Sequence, residues 1–196
     1  VVVRRAGLLV TSALWATGSA HAAEARAEAR ALLPQPTRAN VAYEAGVSSR
    51  TVLDFYKASH PGARPTLIFF HGGGWRGSKG GQDALLRPFL DRGWNVVNVE
   101  YRTQPRDLAP AALMDARCAI LWVRAHAREL RVNVDKLVVS GASAGGQLAL
   151  MASLSRLPDE FRCGKMDRLA VSPVAGAIVW WGVLDMEGVI KKTRPL

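Results

Sequence analysis

The sequence predicts an α/β fold, a mainly parallel sheet with helices on both faces, from three observations. Short strand patterns alternate with helical ones through the middle of the chain, as parallel strands joined by crossover helices require. The apolar run Lys136-Leu-Val-Val-Ser passes directly into Gly141-Ala-Ser143-Ala-Gly145-Gly146 and then into an apolar helix pattern, leaving no room for a loop. A second apolar run, Pro65-Thr-Leu-Ile-Phe-Phe, does not alternate, which suits a strand covered on both faces; it ends in His71-Gly72-Gly73-Gly74-Trp75.

Taken in order, residues 1–22 read as a secretory signal. Arg4 and Arg5 make a charged start, Ala6 to Ala16 an apolar run, and Ala20-His21-Ala22 a small-x-small site with cleavage expected after Ala22. The apolar run is too short to span a bilayer, and no cysteine follows the cleavage site. A periplasmic or secreted product without a stable membrane anchor is therefore expected. The first residue is Val rather than Met, which reads as an alternative start codon translated literally or as a chain incomplete at its front.

Residues 23–39 read as a leader, with Ala, Glu and Arg interspersed and then Pro34 and Pro36; residues 40–196 read as one domain. Strands are expected over 41–43, 51–56, 66–70, 94–100 and 137–140. A helix is expected over 82–92, one long amphipathic helix over 111–131, and another after Ser143 to about residue 155. A polar stretch with Pro158 and Gly164 precedes a last apolar run from Val174 to Val183.

A net charge of +10 raises the question of nucleic acid. The basic residues are spread among acidic ones, with no Lys/Arg block interleaved with aromatics, so no nucleic-acid partner is expected. Cys118 and Cys163 lack metal-ligand spacing and no His-Glu-x-x-His occurs, so neither metal nor cofactor is expected. Cys118 falls in the long helix and reads as a buried free thiol, although an oxidising compartment would permit a bridge to Cys163.

The chemistry gathers at two places. Gly141-x-Ser143-x-Gly145 has the form of a nucleophile elbow, a sharp turn that lifts the serine oxygen above the sheet and tolerates only small flanking residues. The frame alone is weak evidence; its strand and helix context carries the weight. Acyl transfer through a serine also needs preorganised donors for the oxyanion of the tetrahedral intermediate. The glycine loop can supply the N–H groups of Gly73 and Gly74, and the positive end of the helix after the elbow supplies that of Ala144.

His-Gly-Gly-Gly-Trp followed by Gly-Ala-Ser-Ala-Gly-Gly, with Tyr101-Arg102 after a strand between them, resembles the α/β-hydrolase fold. The resemblance is to hormone-sensitive-lipase-like and BD-FAE-like carboxylesterases and runs from about Asn40 to Asp185. It implies a serine hydrolase that acts on small carboxylic esters through an acyl-enzyme, with Ser143 as nucleophile and Gly73, Gly74 and Ala144 as the oxyanion hole.

Two rival readings remain. Gly72-Gly73-Gly74-Trp75-Arg76-Gly77 also fits a dinucleotide-binding pattern, with Glu100 as the ribose-binding acid. Against it, Gly77, Gly80 and Gly81 keep the chain irregular until about Gln82, whereas a dinucleotide site opens its helix within the motif. A phosphate loop fails because its lysine is displaced to Lys79. The other rival is an inactive, hydrolase-like binding domain.

In this fold the triad runs nucleophile, acid, base, yet no histidine follows Ser143. His21 lies in the signal, His60 in a turn, His126 on the long helix, and His71 reads as shaping the oxyanion loop. The resemblance places Asp185 at the end of a strand rather than in the triad; Asp115 reads as structural and Trp75 as wall or loop packing. The expectation is an N-terminal two-thirds of a larger hydrolase, its sheet incomplete at the C-terminal edge and its acid and base beyond Leu196. An apolar run left at a sheet edge argues for this over a reduced domain. Activity of this chain alone is accordingly expected to be slight.

Overall fold

The computed structural model describes residues 32–153, 163 and 174–188. The signal reading and most of the leader fall outside the described residues. The described residues from Pro34 onward belong to one compact unit. Its strands are β1 (Arg38–Ala42), β2 (Val52–Tyr56), β3 (Arg64–Phe70), β4 (Asn95–Val99), β5 (Val132–Ala142) and β6 (Gly176–Trp180). Its helices are α1 (Asp83–Asp91), α2 (Ala111–Ala125), the single turn α3 (Ala127–Leu130) and α4 (Ala144–Ser153).

The six strands form one sheet in the order β1-β2-β4-β3-β5-β6. The β1/β2 and β2/β4 pairs are antiparallel, while β4/β3, β3/β5 and β5/β6 are parallel. Period-two alternation sends neighbouring side chains of β3 to opposite faces. Ile68 and Phe70 join Val97, Val99, Leu137 and Val139 in the cluster that α2 and α4 cover with Ile120, Leu121, Val123 and Leu148. Leu67 and Phe69 are equally buried but lie outside that cluster, and Leu86 of α1 is fully buried as well. Covering both faces explains why β3 is apolar without alternation.

Both asparagines of β4 are buried; the side-chain amide of Asn95 is bonded at its oxygen and its nitrogen, whereas Asn98 is bonded through its nitrogen while its Oδ1 has no partner among the described residues. Asn95 Oδ1 accepts from the Ala58 N–H at 2.9 Å, and its Nδ2 donates to Thr66 Oγ1 and the Arg131 carbonyl. Asn98 Nδ2 donates to the Lys79 carbonyl at 2.8 Å.

Four expectations change. The helix read as continuous over 111–131 breaks at His126, where the ring stacks on Trp122 with centroids 4.0 Å apart and Nδ1 lies 2.8 Å from the Trp122 carbonyl. Arg131 then turns left-handed at φ 55° and releases the chain into β5. β5 itself runs from Val132, five residues before the start of its apolar stretch, because Arg64 pairs with Val132 ahead of the main register. The free-thiol reading of Cys118 is overturned: Cys118 and Cys163 form a disulfide, with Cα atoms 5.3 Å apart. Only the tertiary fold brings these two positions, 45 residues apart in sequence, within bridging distance. β1 also begins at Arg38, two residues ahead of the Asn40 boundary.

No helix among the described residues is long and apolar enough to cross a membrane. Among the same residues, no group of three or more His, Cys, Asp or Glu side chains could hold a metal ion.

Candidate active site

Ser143 stands alone between the last residue of β5 and the first of α4, at φ +53°. A non-glycine residue in this region stores strain unless its surroundings hold it. Here they do. The Ser143 N–H donates to the Trp180 carbonyl at 2.9 Å, and the Ser143 carbonyl accepts from Gln147 at 3.2 Å and Val183 at 3.4 Å. Strand and helix meet so closely that a Cβ on Gly141 would overlap the Gly145 carbonyl, and one on Gly145 would overlap the carbonyls of Phe70 and His71. The small residues around the serine are therefore a packing requirement.

The glycine loop at the end of β3 backs directly onto this elbow. A Cβ on Gly72 would lie 3.5 Å from Ser143 Cβ and 2.9 Å from the Ala142 carbonyl oxygen. Gly73, Gly74 and Trp75 follow with φ of 100°, 60° and 60°. Glycine adopts such angles freely; a tryptophan there costs on the order of 1–3 kcal/mol, and the bond from Gln104 N–H to the Trp75 carbonyl at 2.8 Å helps to hold it. Among the described residues, no backbone carbonyl accepts from the N–H of Gly73, Gly74 or Ala144. The structure thus packs Gly72 of the glycine loop against Ser143, with Gly73 and Gly74 next in the chain and Ala144 adjacent to the serine. Ala144 opens a ten-residue helix, whose N-terminus carries partial positive charge.

Behind the loop lies a charged cluster that sequence reasoning missed. Glu100, at the end of β4, accepts from Arg50 Nη2 and, at 2.8 Å, from the Lys79 N–H. His71 Nε2 approaches the same carboxylate at 3.5 Å, long for a hydrogen bond. Burial by itself raises the Glu100 carboxyl, but the nearby His71 ring, the Lys79 N–H bond and the Arg50 charge outweigh it and hold the group below its ordinary range. Arg50 sits in a turn with no motif around it, so its role leaves no sequence signal; Glu100 directly precedes Tyr101-Arg102, which is the only hint. Engagement by Arg50 and Lys79 also removes Glu100 from the ribose-binding role, and α1 opens only at Asp83, well past Gly77.

The Tyr101-Arg102 pair has a structural function. Tyr101 stacks on the His71 ring, centroids 4.0 Å apart, and its hydroxyl donates to the His71 carbonyl at 2.7 Å. Arg102 clasps the fully buried Asp115 through Nε and Nη2, at 3.0 and 2.6 Å, and its N–H adds a bond of 2.7 Å. Burial raises the Asp115 carboxyl despite these bonds. Asp115 therefore locks the segment after β4, as its structural reading anticipates.

The three histidines in view are all committed away from Ser143. His71 is fully buried, with Nδ1 2.8 Å from the Gly72 carbonyl; His60 contacts Ser59, and His126 contacts Trp122. Asp185 bonds the Gly188 N–H at 2.8 Å beyond the end of β6. A cleft of about 370 Å³ opens beside the elbow. Trp75, Leu108, Leu113, Leu148 and Met151 give it an apolar wall, and Gln147 stands one helical turn from Ser143. Its size falls at the small end of ordinary small-molecule sites, which span roughly 300–1,000 Å³.

Comparison with known proteins agrees with this architecture. The sequence profile of the BD-FAE family matches residues 53–194. A probable carboxylic ester hydrolase of Mycobacterium tuberculosis, LipM, is 32% identical over 137 residues, covering 69% of this chain and 31% of its own length. Another from the same organism, the carboxylic ester hydrolase LipN, is 41% identical over 105 residues, covering 52% and 28%. The chain thus spans about a third of the length of the curated relatives it matches. Among solved structures, a butyrate-bound thermophilic esterase, Est2, of Thermogutta terrifontis superimposes with a TM-score of 0.64 at 30% identity, covering 77% of this chain and 55% of that one. A truncated carbohydrate esterase from gut microbiota gives 0.69 at 24% identity, covering 78% and 59%, and speaks for the fold alone. The fold is that of the α/β-hydrolases, and with more than half of its residues matched the chain belongs to the BD-FAE family.

Proposed function

We propose that this chain carries the nucleophile and oxyanion hole of a serine hydrolase that cleaves small carboxylic esters through an acyl-enzyme. The observation that carries the reading is Ser143 at φ +53° between β5 and α4, with the glycine loop packed against it. Ser143 Oγ adds to the ester carbonyl carbon while its proton passes to a general base. The oxyanion that forms is met by the N–H groups of Ala144, Gly73 and Gly74. Collapse expels the alcohol, and water then attacks the acyl-enzyme to release the acid and free Ser143. The named activities of LipM, LipN and Est2 support ester cleavage, and the apolar cleft beside Gln147 supports a small, partly apolar substrate. Because His60, His71 and His126 are engaged elsewhere, the reading assigns the base to a group outside the described residues.

The 196-residue chain should therefore show only the part of the acceleration that an oxyanion hole supplies, on the order of 10³–10⁴ over water. The measurement is turnover of p-nitrophenyl acetate with and without added imidazole as an external base. Imidazole should raise the rate of the parent chain and leave Ser143→Ala at background. Equal rates for the two proteins would remove Ser143 as nucleophile; retained ester binding without turnover would favour an inactive binding domain. Ordinary enzymatic rates abolished by His71→Ala would make His71 the base.

The same reading places the protein in the periplasm or outside the cell. Its support is the charged, apolar and small-residue pattern over residues 1–22 together with the Cys118–Cys163 disulfide, which persists in oxidising compartments.

A further inference from the structure

The left-handed run Gly73-Gly74-Trp75 has one internal backbone bond, from the Arg76 N–H to the Gly73 carbonyl at 3.0 Å. Such a loop does not hold its own shape, so its anchors decide where its N–H groups stand. The near end is fixed at His71, by the Tyr101 hydroxyl and ring. The far end has several anchors: Gln104 holds the Trp75 carbonyl at 2.8 Å, and Lys79 is held by Asn98 on its carbonyl at 2.8 Å and by Asp54 on its Nζ at 2.6 Å, while Gly77 between them is gripped by an ion pair. Arg50 donates through Nη2 to the Gly77 carbonyl at 2.6 Å and to Glu100 Oε1, and through Nε to the Tyr101 carbonyl at 3.2 Å. Glu100 Oε2 in turn accepts from the Lys79 N–H at 2.8 Å.

Gly77 is not a passive attachment point. A Cβ on Gly77 would overlap the Gly72 carbonyl, and one on Gly73 would lie 2.8 Å from Gly77 Cα. The two ends of the loop are therefore packed backbone against backbone, and a shift of Gly77 transmits to Gly73 with no side chain to absorb it.

We propose that the Arg50–Glu100 pair is a positioning device of the glycine loop: it fixes Gly77, sharing the hold on Lys79 with Asn98 and Asp54, and through the contact of Gly77 with Gly72 and Gly73 it sets where the Gly73 and Gly74 N–H groups stand. The catalytic meaning of this rests on the serine-hydrolase reading above; the mechanical link does not. Arg50 and Glu100 touch no substrate and act through the loop. The ion pair is well placed to do so, since Glu100 is largely buried and a partly buried pair is screened less than a surface one.

The test uses the full 196-residue chain, labelled with ¹⁵N, as the parent protein and as Arg50→Gln, Glu100→Gln and the double variant. Each single variant should shift and broaden the Gly73 and Gly74 amide resonances while those of α2 and β5 stay in place. The double variant should go no further than the singles, because the pair acts as a unit. Arg50→Lys keeps the charge but cannot span Glu100, Gly77 and Tyr101 together; it should be intermediate, and it serves if the Gln variants fold poorly. With p-nitrophenyl acetate and imidazole, the saturating rate should fall on the order of 10- to 100-fold, as a small misplacement of donors implies. The half-saturating concentration should change by less than about two-fold. Arg38→Ala, which opens the exposed Arg38–Glu129 pair, should leave both readouts unchanged. Unmoved Gly73 and Gly74 resonances in both single variants, or a rate loss that merely follows the folded fraction, would overturn the proposal. If the parent chain shows no Ser143-dependent turnover, the serine-hydrolase reading fails, and the resonances still decide whether the pair holds the loop.

Discussion

The Ser143 N–H donates to the Trp180 carbonyl across 2.9 Å, which ties the elbow to the end of β6. Trp180 grips β5 a second time through its ring, with Nε1 3.1 Å from Ser140 Oγ. The strained serine is thus held from the edge strand on one side and by close packing of Gly145 on β3 on the other. That arrangement explains how a left-handed non-glycine residue persists at the centre of the site.

The packing half of this can be tested by adding one carbon. In Gly145→Ala the new Cβ overlaps the Phe70 and His71 carbonyls, which are backbone and cannot swing aside. A loss of roughly 3 kcal/mol in urea unfolding is expected, at the upper end of overpacking costs. Gly176→Ala in β6 meets nothing within 4 Å and should change stability by less than about 0.5 kcal/mol. Equal effects at the two positions would show that the elbow is looser than the structure describes.

The Glu100 carboxyl gives the fold a defined acid sensitivity. Its value in the folded chain lies below the ordinary 4.5, because the His71, Lys79 and Arg50 interactions outweigh the effect of burial. A carboxyl depressed by folding contributes stability that is present above its unfolded value and lost as the pH falls through the folded one. Asp115 works in the opposite sense, since burial raises it despite Arg102. Comparing parent and Glu100→Gln isolates the first effect: the gap in melting temperature should be widest near pH 6 and narrow as the pH falls from about 4.5 towards 3. A gap independent of pH over this range would mean that the carboxylate charge contributes nothing.

The Cys118–Cys163 bridge closes a loop of 45 residues around the elbow helix and ties Cys163 to the core face of α2. In the chain-entropy account, a loop of that length stabilises by about 4 kcal/mol through restriction of the unfolded state. Reduction, or the double change Cys118→Ala and Cys163→Ala, should lower the melting temperature by roughly 8–16 °C, taking about 2–4 °C per kcal/mol for a chain of this size. Thiol titration of the unfolded, unreduced protein should find no free sulfhydryl; two free groups would restore the buried-thiol reading.

The strand, turn and helix around Ser143 are legible in the sequence because each is written in consecutive residues: an apolar run, glycines where backbones must touch, and a helix pattern. The same holds for β3 and its glycine loop, where Leu67 to Phe70 are apolar without alternation since both faces are covered. Local periodicity and steric need act over a few residues, and a reader of the chain sees them directly. What the tertiary structure alone decided are relations between distant positions. Arg50 stands in an unremarkable turn, and nothing near it announces a bond to Glu100 or to the Gly77 carbonyl. Cys118 reads as an ordinary buried residue of a helix until the fold carries Cys163 to within 5.3 Å of it. His126 looks like one more position in a long helix until its ring stacks on Trp122 and the chain turns. Such pairings depend on where strand order and crossovers bring the backbone, and no periodicity within a single segment encodes them.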